Sequence, residues 1–309
     1  MALETHKLPG NVPGDFFVDA SCINCDVCRQ LAPGHFSEID DQSAVARQPQ
    51  TDDETRQVIL ALLACPTASI GTSGNQDIKP HATSFPTLLE ATSHGGTFEG
   101  GVYHCGYTSK KSYGGKSYFI QHPAGNWLID SPRFVPALVD QLKALGGVQT
   151  IFLTHRDDVA DAQRYAETFG ALRIIHEAER EAQPDAERLI TGTDTVYLGD
   201  DFVIIPTPGH TEGHMVLLYN NRYLFTGDHM SWRRQPTQED DHDETPSWHF
   251  GASRQYCWWD WEAQKASLSK LLAYDFEWVL PGHGHWKQLP GTQMKQAMQA
   301  MAAFYNLSP

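Results

Sequence analysis

No apolar run in the sequence approaches the roughly 18 residues that a membrane-spanning helix needs, so no membrane partner is expected. The chain also does not open with a basic stretch followed by an apolar one. A secretory signal is therefore not expected. Positive charge is scarce: 23 Lys and Arg stand against 38 Asp and Glu, a formal net charge of −15. A phosphate backbone would be repelled by that balance, which argues against a nucleic-acid partner. Internal repeats are absent. There are only six cysteines. Four of them are placed for metal binding rather than for disulfides, which points to a reducing compartment. The expected location is the cytoplasm, or a plastid stroma had a transit peptide been removed.

What is present suffices for a large core. The 309 residues favour two domains, and 40% are hydrophobic. The expected division is a cysteine-bearing domain at 1–75, a Gly/Ser/Thr/Pro-rich linker at 76–96 and a second domain at 97–309. In the first, Phe16-Phe17-Val18 precedes a loop with Cys22, Cys25 and Cys28. Thr51-Asp52-Asp53-Glu54 is a capping box that opens a helix through Val58–Leu63, and Pro66 stops it just past Cys65.

The second domain reads as strands at Val102-Tyr103, Ser117–Ile120, Trp127–Ile129 and Thr150–Thr154, with a helix at Pro136–Leu145. After a helix at Ala162–Phe169 come strands at Leu172–Ile175, Val203–Ile205, Val216–Tyr219 and Tyr223–Phe225. The last two flank Asn220-Asn221, a tight turn. Trp261–Leu272 is helical, Trp278–Leu280 is a strand, and Gln293–Tyr305 is a closing helix. Helices interleaved with strands in this way cover two packed sheets.

Cys22-x₂-Cys25-x₂-Cys28 with a distant Cys65-Pro66 brings four thiolates to one point. Three of them in one loop suit a cubane better than zinc, whose ligands usually come as two separated pairs. This part resembles single-cluster bacterial ferredoxins, an α+β ferredoxin-like fold, and the resemblance implies one [4Fe–4S] cluster. The lone Cys105 and Cys257 read as small buried hydrophobes.

Four segments follow apolar strands in the second domain. They are Trp127–Asp130, Leu153-Thr154-His155-Arg156-Asp157, Thr207-Pro208-Gly209-His210 with Thr226-Gly227-Asp228, and Leu280-Pro281-Gly282-His283. They resemble the metallo-β-lactamase superfamily, an αβ/βα fold of two β-sheets sandwiched by helices. The resemblance implies that His155 and His210 ligate a first metal, that Asp228 bridges two metals, and that His283 serves the second. It also makes His210 and Asp228 catalytic and Asp130 an orienting residue. The segment after His155 departs from the family pattern H-x-[HED]-x-D-H. Asp157 holds an acid position, but ungapped reading puts Val159 and Ala160 where Asp and His belong. A two-residue slip recovers Asp161 and still leaves Ala162 for the His. The second metal is therefore expected to be weak or absent, with Asp158 against Asp161 undecided.

His155, Asp157 and His210 suit non-haem iron, with zinc as the alternative. His214, His229 and His285 read as packing or supporting groups, His176 as a surface residue, and His104 as packing. The long insertion Met230–Asp260 reads as a lid whose Arg233-Arg234, with Lys110-Lys111 nearby, would hold an anionic small-molecule substrate. Its acidic run Glu239–Glu244 reads as a solvated face. The leading function is an oxidoreductase that passes electrons from a donor protein through the cluster to the iron site. The alternatives are a zinc-dependent hydrolase of an ester, thioester or amide, and a non-enzymatic electron carrier or iron sensor.

Overall fold

The computed structural model describes residues 2–74, 76–94, 98–234 and 248–307. The chain packs as two compact units, one of Met1–Ile151 with Val159–Ala171 and one of Phe152–Asp158 with Leu172–Pro309.

The first unit begins with β1 (Phe16–Val18), α1 (Val27–Leu31), β2 (Phe36–Ile39), β3 (Gln42–Val45), α2 (Asp52–Ala64) and β4 (Ile70–Thr72). β1 pairs antiparallel with β4 and β2 with β3. The capping box forms as expected. Glu54 N–H donates to Thr51 Oγ1 at 3.2 Å, and Glu54 Oε2 accepts from Gln50 N–H at 2.7 Å. α2 buries Val58, Ile59 and Ala61 in one cluster with Phe16, Val18 and Phe36, which fixes the end that carries Cys65.

The same unit continues with β5 (Thr87–His94), β6 (Phe98–His104), β7 (Tyr118–Gln121), β8 (Trp127–Ile129), α3 (Pro136–Ala144), β9 (Thr150–Phe152) and α4 (Ala162–Phe169). β5 through β8 form an antiparallel meander. The stretch expected to be a linker, 76–96, thus supplies a paired strand. Its Ser and Thr residues hid the alternation, and backbone pairing with β6 fixes it as a strand regardless.

The second unit holds β10 (Leu172–His176), β11 (Arg188–Ile190), β12 (Val196–Leu198), β13 (Phe202–Pro206), β14 (Met215–Tyr219), β15 (Tyr223–Gly227), β16 (Ser231–Arg234), β17 (Trp248–Gly251), α5 (Trp261–Leu271), β18 (Trp278–Pro281), β19 (Lys287–Gln288) and α6 (Gly291–Phe304). β10 and β11 pair in parallel. A six-stranded sheet runs in the order β12-β13-β14-β15-β18-β19. The β14–β15 turn carries Asn220 at φ 54° and Asn221 at φ 47°, the left-handed pair that a two-residue hairpin requires. Val216, Leu218, Leu224 and Val279 pack against Leu268 and Leu271 of α5 and Met294, Met298 and Met301 of α6. Truncating one such fully buried leucine to alanine costs about 2–5 kcal/mol. The strand ends of this sheet hold the ligand motifs on a rigid base.

The expected lid begins instead as a hairpin. β16 pairs antiparallel with β17, and Glu239–Glu244 lie outside the described residues. Among the described residues, no helix is long and apolar enough to cross a membrane.

Candidate metal centres

In the first unit, Cys22, Cys25, Cys28 and Cys65 line one small pocket together with Val18, Val27 and Ile70. Asn24 and Asp26 take left-handed φ values of 56° and 68°, which lets the short loop wrap. Backbone N–H groups point at the sulfurs: Asn24 at 3.5 Å and Ser43 at 3.4 Å from Cys22 Sγ, and Ser69 at 3.3 Å from Cys65 Sγ. Such N–H···S contacts stabilise thiolates that hold iron. Burial pushes the thiols of Cys25 and Cys28 up to about 12, so iron must displace their protons. A later loop closes one wall of the pocket. Gly114, at φ +90°, lies so near that a Cβ there would stand 2.7 Å from Cys25 Cβ and 3.0 Å from its Sγ. Tyr113 donates its hydroxyl to the Ile23 carbonyl, and Thr108 Oγ1 donates to Ala64 O at 2.7 Å.

In the second unit, His155 follows β9 and opens a 3₁₀ turn, Arg156–Asp158. His155 Nε2 lies 3.8 Å from Asp157 Oδ2 and 3.7 Å from Asp228 Oδ2. His210 Nε2 lies 3.7 Å from each of the same two oxygens. Both Nε2 atoms are buried and have no hydrogen-bond partner among the described residues. His155, Asp157 and His210 offer ligand atoms that all lie within 4.8 Å of one another, a trio that could hold a single metal ion, with Asp228 beside both imidazoles. Burial pushes His155 down to about 4, which keeps it neutral and able to ligate. The Asp157 carboxyl is held low chiefly by the His210 ring beside it. Burial works against ionisation of Asp228, but His283 outweighs it and holds that carboxyl well below the usual range.

A second group converges on the same bridge. His155, Asp158 and Asp228 offer ligand atoms within 4.8 Å of one another. His283 Nδ1 lies 2.7 and 2.9 Å from the two oxygens of Asp228. Asp158 and Asp228 flank Gly282, where a Cβ would stand 2.6 Å from Asp158 Oδ2 and 2.8 Å from Asp228 Oδ1. The 3₁₀ turn tightens the chain so that an acid three residues after His155, rather than four, turns inward. A second candidate group thus forms from His155, Asp158 and Asp228, with His283 hydrogen-bonded to Asp228, while the histidine of the family pattern is still replaced. Asp161, the slipped candidate, is engaged in the first unit: Lys111 Nζ lies 2.8 Å from its Oδ1, and Phe134 N–H donates to its Oδ2 at 2.9 Å. Asp130 is buried at the end of β8 with a left-handed φ of 55°.

His214 and His229 are wholly buried beside the ligands. His214 Nδ1 meets Thr207 Oγ1 at 2.9 Å, and its ring lies 5.1 Å from that of His155. Burial pushes His229 down to about 3. His285 stacks edge-on to Trp248. His176 is half-buried rather than superficial, because its Nδ1 accepts from Ala178 N–H at 3.2 Å and caps the following turn. His104 and Cys105 are buried, as packing requires. Cys257 departs from its reading: it is half-exposed, and its thiol donates to Gly209 O at 3.2 Å. The residues expected to hold an anion each have a contact within the chain. Arg233 donates to Ala252 O at 2.7 Å, Arg234 lies over Trp248, and Lys111 pairs with Asp161. Trp258 is one of the insertion's aromatics that the sequence offers as pocket walls; its backbone N–H donates to His210 O at 2.9 Å, and it is 63% exposed.

Residues 18–72 match the family described as the 4Fe-4S single cluster domain of Ferredoxin I. A hydroxyacylglutathione hydrolase of Klebsiella pneumoniae is 36% identical over 105 residues, which is 33% of this chain and 41% of that protein. One of Acidiphilium cryptum is 29% identical over 116 residues, 36% of this chain and 47% of that protein. The chain thus spans less than half the length of the curated relatives it matches. Among solved structures, the BLEG-1 B3 metallo-beta-lactamase is 19% identical with a TM-score of 0.46, covering 60% of this chain and 93% of that one. ETHE1 from Myxococcus xanthus is 19% identical with a TM-score of 0.44, covering 63% and 83%. Residues 18–72 thus resemble a single-cluster 4Fe-4S domain, and the second unit is built on a six-stranded sheet.

Proposed function

We propose that this protein is a metal-dependent oxidoreductase in which electrons from a donor protein enter at the [4Fe–4S] cluster and are used at an iron centre held by His155, Asp157, His210 and Asp228. The observation that carries the reading is the match to a cluster domain at residues 18–72 in the same chain as the trio His155, Asp157 and His210, which could hold a metal ion. A cluster moves electrons, and a hydrolase has none to move. The donor set agrees, since two imidazoles and two carboxylates suit iron, which when bound supplies a redox change and open positions for O₂ or substrate. The chain's own residues prepare that site. Buried His155 stays neutral, and Asp157 and Asp228 stay ionised. Trp258 offers an open aromatic wall beside His210 for a small-molecule substrate, with ring centroids 6.3 Å apart.

The second reading is a zinc hydrolase with an auxiliary cluster, favoured by the hydroxyacylglutathione hydrolases that about a third of the chain matches. Metal and sulfide analysis of anaerobically purified protein, with a Cys65→Ala variant, separates the two. Iron above about four per chain, the excess surviving Cys65→Ala, supports the oxidoreductase. About four irons lost in the variant, with zinc retained, overturns it in favour of the hydrolase.

A further inference from the structure

Glu179 carries a carboxylate that is wholly buried, with a side-chain exposure of 0%. It sits in a short helical turn after β10, where nothing in the local sequence sets it apart from Glu177 or Glu181. Its Oε2 lies 2.5 Å from Arg156 Nε, and its Oε1 lies 3.3 Å from Arg156 Nη2. The same Oε1 accepts the Gly213 N–H at 2.7 Å.

Both partners are flanked by metal-site residues. Arg156 stands between His155 and Asp157, so the turn that sends those two side chains to the ion sends the intervening guanidinium to Glu179. Gly213 lies between His210 and His214, on the segment that delivers the other imidazole. The fit around Gly213 is close, since a Cβ there would stand 2.7 Å from Glu179 Cγ and 2.7 Å from His176 Nδ1. One buried carboxylate thus ties the His155–Asp158 segment to the His210–His214 segment from behind. A buried charge of this kind persists only while paired, so the ties are mutually dependent. His210 Nε2 and Asp157 Oδ2, on the two separate segments, stand 3.7 Å apart and need such a brace to keep their spacing.

We infer that Glu179 is a positioning residue for the metal centre, setting the separation of the two ligand segments through Arg156 and Gly213. The inference rests on the reading of His155, Asp157, His210 and Asp228 as metal ligands. Partners of this kind are worth about 10- to 100-fold in metal affinity.

The test is Co(II) binding to the full chain, followed by chelator competition and by the visible absorption bands of the bound ion. Glu179→Ala removes both ties. Glu179→Gln keeps an acceptor for Gly213 but loses the charge opposite Arg156. Co(II) affinity is expected to fall about 10- to 100-fold in Glu179→Ala and by less in Glu179→Gln. The absorption bands should shift, and cluster iron and sulfide should be unchanged. Should Glu179→Ala fail to fold, Glu179→Gln decides the matter. Wild-type affinity and bands in a folded variant overturn the inference while leaving the metal site intact. Failure of the wild-type protein to bind Co(II) overturns the metal-site reading and this inference with it.

Discussion

Cys25 and Cys28 lie in a pocket whose burial pushes their thiols up to about 12, whereas burial pushes His155 down to about 4. The same physical force therefore acts oppositely on the two metal-holding regions. A thiol must lose its proton to bind iron, so burial opposes loading of the cluster pocket. An imidazole ligates in its neutral form, so burial prepares the histidine site in advance. The delivery of ligands differs as well. The cluster takes three cysteines from one seven-residue stretch, Cys22–Cys28, whereas the second centre gathers its ligands from the ends of β9, β15 and β18 and the loop after β13. The first centre is built by local chain geometry and the second by the sheet.

The contrast implies that each centre can be removed without the other. The largest effect expected is from Cys65→Ala, which should abolish the cluster's iron and sulfide while leaving the second metal in place. Loss of both by elemental analysis would show that the centres depend on each other. His210→Ala should produce the converse, weakening the second metal by more than about 100-fold in chelator competition, with cluster absorbance retained. Asp158→Asn sharpens the picture within the second region. It should reduce any metal bound beyond the first ion, whereas Asp161→Asn should leave the metal content unchanged. Equal losses from both variants would sink the assignment of Asp158.

The smallest effect lies away from either centre, at Glu187. Hydrogen bonds from Arg173 pull its carboxyl down to about 2, from 4.5. A lowered carboxyl stabilises the fold at pH values above its unfolded value and loses that contribution as pH falls through its folded value. Glu187→Gln should flatten the dependence of stability on pH between about 4.5 and 2. Because Glu187 is 42% exposed, the difference should stay under about 1 kcal/mol in denaturant titrations. A larger shift would mean that the pair is shielded from solvent more than its exposure implies.

Much of this architecture was legible in the chain. The Cys-x₂-Cys-x₂-Cys run and Cys65-Pro66 carry their chemistry in spacing alone, and the capping box at Thr51 located α2 within a residue. The ligand motifs were readable because each follows a short apolar strand. What escaped depended on long-range geometry. β5 was hidden in a Ser/Thr-rich stretch that only its pairing with β6 makes a strand. Asp158 was hidden because a 3₁₀ turn changes which residue of a run of acids faces inward, and linear spacing cannot report that. The contacts of Arg233 with the Ala252 carbonyl and of Arg234 with the Trp248 indole come from the β16–β17 pairing, which the sequence does not spell out. Glu179 left no signal, because its burial is decided by Arg156 and Gly213, which are distant in sequence.

The close approach of Gly114 to Cys25 also bears on the order of events during synthesis. All four cluster cysteines precede Gly114 in the chain and leave the ribosome before it. A nascent chain that has emerged only as far as β4 presents a pocket with one side open, and domains near the start of a chain fold first. Once the Ser109–Gly115 loop settles, that side is walled by backbone with no room for even a methyl group. A cluster delivered before that loop forms meets one wall fewer than one delivered to the finished chain.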